Sequence, residues 1–395
     1  MFKNFNRCDF YILVWALYYL QGVLYSPGMI NKLLQLVMIF LSGIETIKLL
    51  SIRVQSPIVK STLCLVLMYC IYGIWIILFG NVPNKYGWSP STYIYLQTSL
   101  NSLLPIFMFY NYSRKGLLNE RKIIIYTIIF LLVTIVSYFK NKYLVMSKLD
   151  RDEITNNIGY NFVSLLPLLF FYYKKPLLQY ILLGVCGVFI LMGMKRGAIL
   201  TGGLSIVIFL YSNLKGTSRK RKTITLILSI GIIIGAVYYV SNMLQTSDYF
   251  LHRIEQTAEG DSSNRDIIYV SIWEAFLNEP NPLYFLFGHG ANSTISVCGY
   301  FAHQDWLETI YNNGILGGVI LLAFFMAFGL TIHKQRHRFP PYMFYSFLIL
   351  LFISFSKTMF SMSIQDILPP QSLLLGYFAY WSTRPKEEVR NLMNA

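Results

Sequence analysis

Apolar runs of about 20 residues, the length that carries a helix across the hydrocarbon core of a bilayer, recur throughout this 395-residue chain. A backbone inside lipid must satisfy its own hydrogen bonds, which a helix does. The predicted fold is therefore all-α, that of a polytopic membrane protein. Composition agrees: 55% of the residues are hydrophobic and 13% are charged, and the mean hydropathy is +0.50. That is too apolar for a soluble fold of this size.

Bounding each run by charge, Pro or Gly places about twelve spans near residues 9–25, 31–50, 58–80, 92–112, 122–139, 159–173, 176–194, 197–213, 223–241, 306–332, 341–359 and 369–382. The last is short. There is no internal repeat of the kind that builds duplicated transporters, and no Gly/Ser linker. Residues 1–395 read as one integral membrane domain with one long extracytoplasmic connection, 242–305. The N-terminal stretch "MFKNFNRCDFYILVWALYYLQG" has the basic start and apolar run of a signal peptide but no clear small-residue cleavage site, so it reads as a retained first helix.

The formal charge of +15 could point to nucleic acid. In a membrane protein, short cytoplasmic loops explain it first. With both termini inside, the inner loops hold 22 Lys and Arg against 11 outside. "SRKRK" (218–222) and "HKQRHR" (333–338) fall inside, whereas the long connection carries only Arg253 and Arg265. No nucleic-acid partner is expected. Cys8, Cys64, Cys70, Cys186 and Cys298 show neither a disulfide framework nor metal-ligand spacing, so no metal and no cofactor is expected.

Between Pro176 and Leu214 the only charged residues are Lys195 and Arg196. Each side of the pair is one membrane crossing, so the pair sits at a tight turn that the topology places outside, against the positive-inside tendency. Basic residues at helix ends often snorkel to headgroup phosphates. Alternatively the turn is an anion site. The planar fork of Arg196 matches phosphate oxygens, and Gly197 allows close backbone approach.

In the outer segment, "SSNRDIIYVSIWEAFLNEP" predicts an amphipathic helix at the interface, with Ser263 and Asp266 as a capping box and Arg265, Ile268, Tyr269, Ile272, Trp273 and Phe276 on one face. An ordinary surface helix over the bundle would show the same stripe, apart from Arg265 at its head. "LFGHGANS" sets His289 between Gly288 and Gly290. "FAHQDWLETIYNNGILGG" then enters the tenth span, with His303, Trp306, Leu307 and Ile310 spaced along one helical face and glycines at 314, 317 and 318 suited to close packing. His303 is thereby expected to point from the helix entrance into the bundle, where a neutral imidazole can accept a hydroxyl proton. Tyr284, Phe285, Tyr300 and Phe301 could stack on sugars, although interfacial belts account for aromatics equally well.

The Arg-Gly turn between two spans, the long outer loop with its "R…W…P…FGxG" run and the "AHxxWLE…NGILG" entry together resemble the O-antigen polymerase and O-antigen ligase superfamily. The resemblance covers roughly residues 190 to 320. It implies a metal-independent membrane glycosyltransferase of the GT-C class that uses polyprenyl-diphosphate-linked glycans. Arg196 and Arg265 would hold the donor diphosphate and His303 would contact the reacting hydroxyl. Glu308 matches a frequent acid after the His, and Gly288 and Gly290 match the glycine-containing turn. Lys195 and His289 are named as further substrate contacts, and so is Arg253, an outer-loop cation to which the family pattern assigns no position. Two positions depart from the family: Lys195 stands where Ser or Thr is frequent, and Gln304 where Asn is frequent. The implied function is a repeat-unit polymerase for O-antigen, capsule or exopolysaccharide at the outer face of a bacterial inner or plasma membrane. Its implied partners are an undecaprenyl-diphosphate-linked oligosaccharide, the lipid bilayer, and flippase and chain-length regulator proteins. A ligase passing glycan to lipid A core or protein is the near alternative, and a lipid-linked oligosaccharide flippase is the alternative of another class.

Overall fold

The computed structural model describes residues 5–24, 28–51, 56–80, 94–149, 155–215, 219–258, 265–361, 364, 368–385 and 387–389. Every regular element among them is helical: α1 Arg7–Leu24, α2 Met29–Leu50, α3 Pro57–Phe79, α4 Ile94–Arg114, α5 Glu120–Leu149, α6 Gly159–Leu165 continued by a 3₁₀ stretch Leu166–Tyr172, α7 Pro176–Met192, α8 Arg196–Leu214, α9 Arg219–Thr246, α10 Asp248–Ala258, α11 Arg265–Leu277, α12 Pro282–Phe287, α13 Thr294–Cys298, α14 Asp305–Gln335, α15 Pro341–Thr358 and α16 Pro369–Trp381. Among the described residues, seven helices are long and apolar enough to cross a membrane, namely α2, α3, α5, α8, α9, α14 and α15, and Gly159–Tyr172 and Pro176–Met192 are shorter apolar ones. Helices α1, α4 and α16 occupy the remaining expected spans. The chain is an all-α polytopic membrane protein.

Burial separates the helices by role. All residues of α16 from Pro369 to Tyr380 are buried, so this shortest expected span forms the centre of the bundle. It lies so close to α4 that a Cβ on Gly376 would stand 2.5 Å from the Ile106 carbonyl oxygen. Helix α9 is the opposite case, with Ile227, Ile234, Val237 and Tyr238 all at least 60% exposed, as a helix against lipid requires. The sixth expected span is not α-helical throughout. Its second half is a 3₁₀ stretch beginning at Leu166 with Pro167 in its first turn, where proline's missing N–H is tolerated.

Polar contacts show which helix ends lie together. Asp9 of α1 pairs with Lys122 of α5 at 2.6 Å. Buried Glu45 of α2 is held by Lys48 at 2.7 Å and Lys115 at 3.1 Å, and by Asn111 of α4. Tyr342 at the start of α15 bonds Glu120 at the start of α5. The alternating spans therefore meet at one end of the bundle, opposite the Lys195–Arg196 turn.

The long connection folds onto the other end. Ile272 and Phe276 of α11 are buried and form a small second core with Ala302 and Tyr311. Trp273 corrects the expected stripe: it is 44% exposed, because 100° per residue carries it to the stripe's edge. Ile267, Val270 and Leu277 form an outward apolar stripe, which suits a helix lying in the interface. Ser263 lies outside the described residues, as does the side chain of Arg253 in α10.

Candidate functional site

The Lys195–Arg196 turn is clamped from below. Asn156 donates its N–H to the Gly193 carbonyl at 2.8 Å and its Nδ2 to the Tyr138 carbonyl at 3.1 Å. The Tyr138 hydroxyl donates to the Met192 carbonyl at 2.7 Å. Met194 is driven to φ 49, an uncommon value for a residue with a side chain. Lys195 is the N-cap of α8 and Arg196 its first residue. Arg196 therefore stands where the first helical amides lack intrahelical partners and favour anions. Gly197 does allow close approach, but to protein: a Cβ there would overlap the Tyr160 hydroxyl and crowd the Phe360 ring.

Phe360 joins the second arginine to this turn. Arg265, the first residue of α11, donates from Nη1 to the Phe360 carbonyl at 3.1 Å. His303 completes the group. Burial depresses its pKa, and the positive charges of Arg265 and Lys195 depress it further. The sequence therefore named four residues that the fold brings to one end of the bundle: Lys195, Arg196, Arg265 and His303.

The route by which His303 arrives differs from the helical face expected of it. Helix α14 begins at Asp305 with Gln304 as its cap, so His303 precedes the helix and three- and four-residue spacing does not orient it. It sits in the left-handed region at φ 53. Glu308 holds the neighbouring backbone: its Oε1 accepts from the Ala302 N–H, and its Oε2 accepts from Thr294 Oγ1 at 2.9 Å and Asn312 Nδ2 at 3.0 Å. Buried and bonded through both oxygens, Glu308 braces the loop that presents His303.

Gly288, His289 and Gly290 pack against the first half of α14. The His289 N–H donates to the Tyr311 carbonyl at 3.1 Å and the Gly290 N–H to the Asn312 carbonyl at 2.9 Å. The His289 ring stacks between Tyr284 at 4.8 Å and Tyr311 at 4.6 Å, with Nε2 3.0 Å from Glu279 Oε2. Burial lowers its pKa, and Glu279 opposes that shift. Helix α14 is broken at Gly314 (φ 67, ψ −170), and α12 ends in the gap. A Cβ on Gly288 would overlap the Asn312 backbone, and one on Gly314 the Leu286 backbone. Both glycines have positive φ. Gly288→Ala and Gly314→Ala should each cost on the order of 3 kcal/mol, from left-handed strain and overpacking together. Thermal unfolding in detergent will show this against Gly231→Ala, which meets nothing within 4 Å.

Lys357 and Tyr160, neither of them among the residues named from the sequence, join the group. Lys357, near the end of α15, is only 7% exposed, and its Nζ lies 5.6 Å from the centre of the Tyr160 ring. Positive charge in an otherwise uncharged apolar stretch is the signal that singled out Lys195 and Arg196, and it marks Lys357 too. Beside it, Trp306 Nε1 donates to Thr358 Oγ1 at 3.0 Å.

The stretch that carries Arg196, Arg265, His303 and the Gly288–Gly314 crossing is also the stretch that matches known proteins. Residues 181–322 match the O-antigen ligase family model. The resemblance to the O-antigen polymerase and ligase superfamily thus holds over the part of the chain that carries Arg196, Arg265 and His303. No curated protein matches the chain. An O-antigen ligase match in an all-α membrane protein supports a glycosyltransferase-like enzyme that works on a lipid-linked substrate in the bilayer.

Proposed function

We propose that the chain is a polysaccharide repeat-unit polymerase at the outer face of a bacterial inner or plasma membrane, with both termini cytoplasmic. The observation that carries this reading is the gathering of Arg196, Arg265, Lys195 and His303 at one end of the bundle. The donor is a glycan on undecaprenyl diphosphate. The hydroxyl of a second lipid-linked repeat unit attacks the anomeric carbon, and its proton passes to His303. The bond from the anomeric carbon to the diphosphate breaks, and the electron pair leaves on the diphosphate oxygen. Arg196 and Arg265 stabilise the charge that accumulates there. Lys195 adds to the positive field, and Glu308 keeps the His303 loop in place.

The description of the matching family favours a second reading, a ligase that passes the glycan to lipid A core or protein. Purified protein given only lipid-diphosphate-linked repeat units separates the two. A polymerase forms a ladder of products, whereas a ligase forms none until the other acceptor is added. Because the guanidinium groups supply the positive charge, the ladder should persist in EDTA. Turnover lost in EDTA and restored by a divalent ion would overturn the mechanism.

The proposed orientation is tested in intact cells with a cysteine-free background. A cysteine at Asn278 should react with an impermeant maleimide and one at Lys215 should be shielded. The reverse pattern would put the site on the wrong side of the membrane.

A further inference from the structure

Tyr160, the second residue of α6, packs against the first turn of α8 and carries Lys357 over its ring without belonging to any motif. Its hydroxyl lies over the first turn of α8, in the space that the missing Cβ of Gly197 leaves open. The Lys357 ammonium approaches its ring at 5.6 Å. Arg265 is close enough for its charge to act on the phenol. The side chain is half-buried, and its hydroxyl makes no hydrogen bond to the described residues.

These neighbours share one property. Arg265 and Lys357 are cations, and the first amides of α8 are donors without intrahelical partners. Among the described residues the Tyr160 hydroxyl donates to no acceptor. A cation on the ring face is attracted to the π-system, so Lys357 and the phenol hold one another in place. A phosphate oxygen held at this end of α8 would accept from the Tyr160 hydroxyl.

We infer that the Tyr160 hydroxyl, with Lys357 against its ring, is a further donor to the phosphate-bearing ligand that Arg196 and Arg265 hold. This rests on the proposed reading of those arginines as a diphosphate site. It also gives Gly197 a role, because any side chain at 197 would displace the phenol from the first turn of α8.

The test uses the full-length protein in phosphatidylcholine nanodiscs, where no anionic headgroup competes, with farnesyl diphosphate, inorganic diphosphate and farnesol as probes. Tyr160→Phe keeps the ring packed against the helix and removes only the hydroxyl. Losing one hydrogen bond to a charged group should weaken both diphosphates about tenfold or more and leave farnesol unchanged. Lys357→Met, which keeps the stem and removes the charge, should weaken the diphosphates in the same selective way. Unaltered diphosphate binding by Tyr160→Phe, or an equal loss of farnesol, would overturn the inference. Should the wild type bind diphosphate and Arg196→Ala lose it while Tyr160→Phe does not, the inference alone falls. A wild type that binds no diphosphate would remove the arginine reading and this one together.

Discussion

Arg196→Lys should abolish polymer nearly as completely as Arg196→Ala, even though lysine keeps the charge. The guanidinium presents two parallel donors in a fixed plane, and an ammonium cannot reproduce that geometry. Position adds to the demand. Arg196 opens α8 on a turn held by Asn156 and Tyr138, so the backbone will not shift to bring a shorter donor set to the ligand. Losing one preorganised donor to developing charge costs on the order of a hundredfold in rate or more. Cells carrying either variant should accumulate lipid-linked repeat units and lack polymer, at normal protein level in the membrane. Lys195→Ala should be milder. A gel of polymer and lipid-linked intermediates reads all three, and near-normal polymer from Arg196→Ala would mean that the side chain only snorkels to headgroups.

The second large effect is expected at His303, and its left-handed backbone dictates the variant to use. Asn accepts positive φ more readily than most residues, so His303→Asn keeps the loop and removes the base. A rate loss of about 10²- to 10⁴-fold is expected for a missing general base. The pH profile adds a test that a structural role would not pass. Burial, Arg265 and Lys195 all depress the His303 pKa, so the neutral base persists below the usual imidazole value of about 6.5. The acid limb of the rate should therefore lie below that value. Lys195→Ala removes one of the opposing charges, raises the His303 pKa and should move the limb to higher pH. A limb that stays in place would show that His303 is not the group that titrates.

The helical spans were legible because each is a long apolar run, a local property of the chain. The Lys195–Arg196 turn was legible for the same reason in reverse, two charges in a run that has no others. The setting of His303 was not. Periodicity orients residues only within a helix, and α14 starts two residues later. Trp273 was misplaced because a stripe read by spacing has no sharp edge, and packing on Ala302 and Tyr311 draws it. Tyr160 and Lys357 stand far apart in the chain and meet only because α6 and α15 close on the turn before α8. The glycines at 314, 317 and 318 predict close helix packing, whereas Gly314 breaks the helix. The backbone it admits belongs to α12, a partner that no pattern in α14 names.

The crossing of α12 and α14 also sets the terms on which this protein could be recombined with a relative. With Gly288 fitted to the Asn312 backbone and Gly314 fitted to Leu286, the two strands of chain are keyed to one another like a tenon in its mortise. A chimera that imports the outer connection alone would bring half of that joint. The exchangeable cassette runs from the start of α11 through the Gly314 break, carrying Arg265, His303 and Glu308 together. Swaps cut at those borders are the ones in which a change of acceptor could be read without first losing the fold.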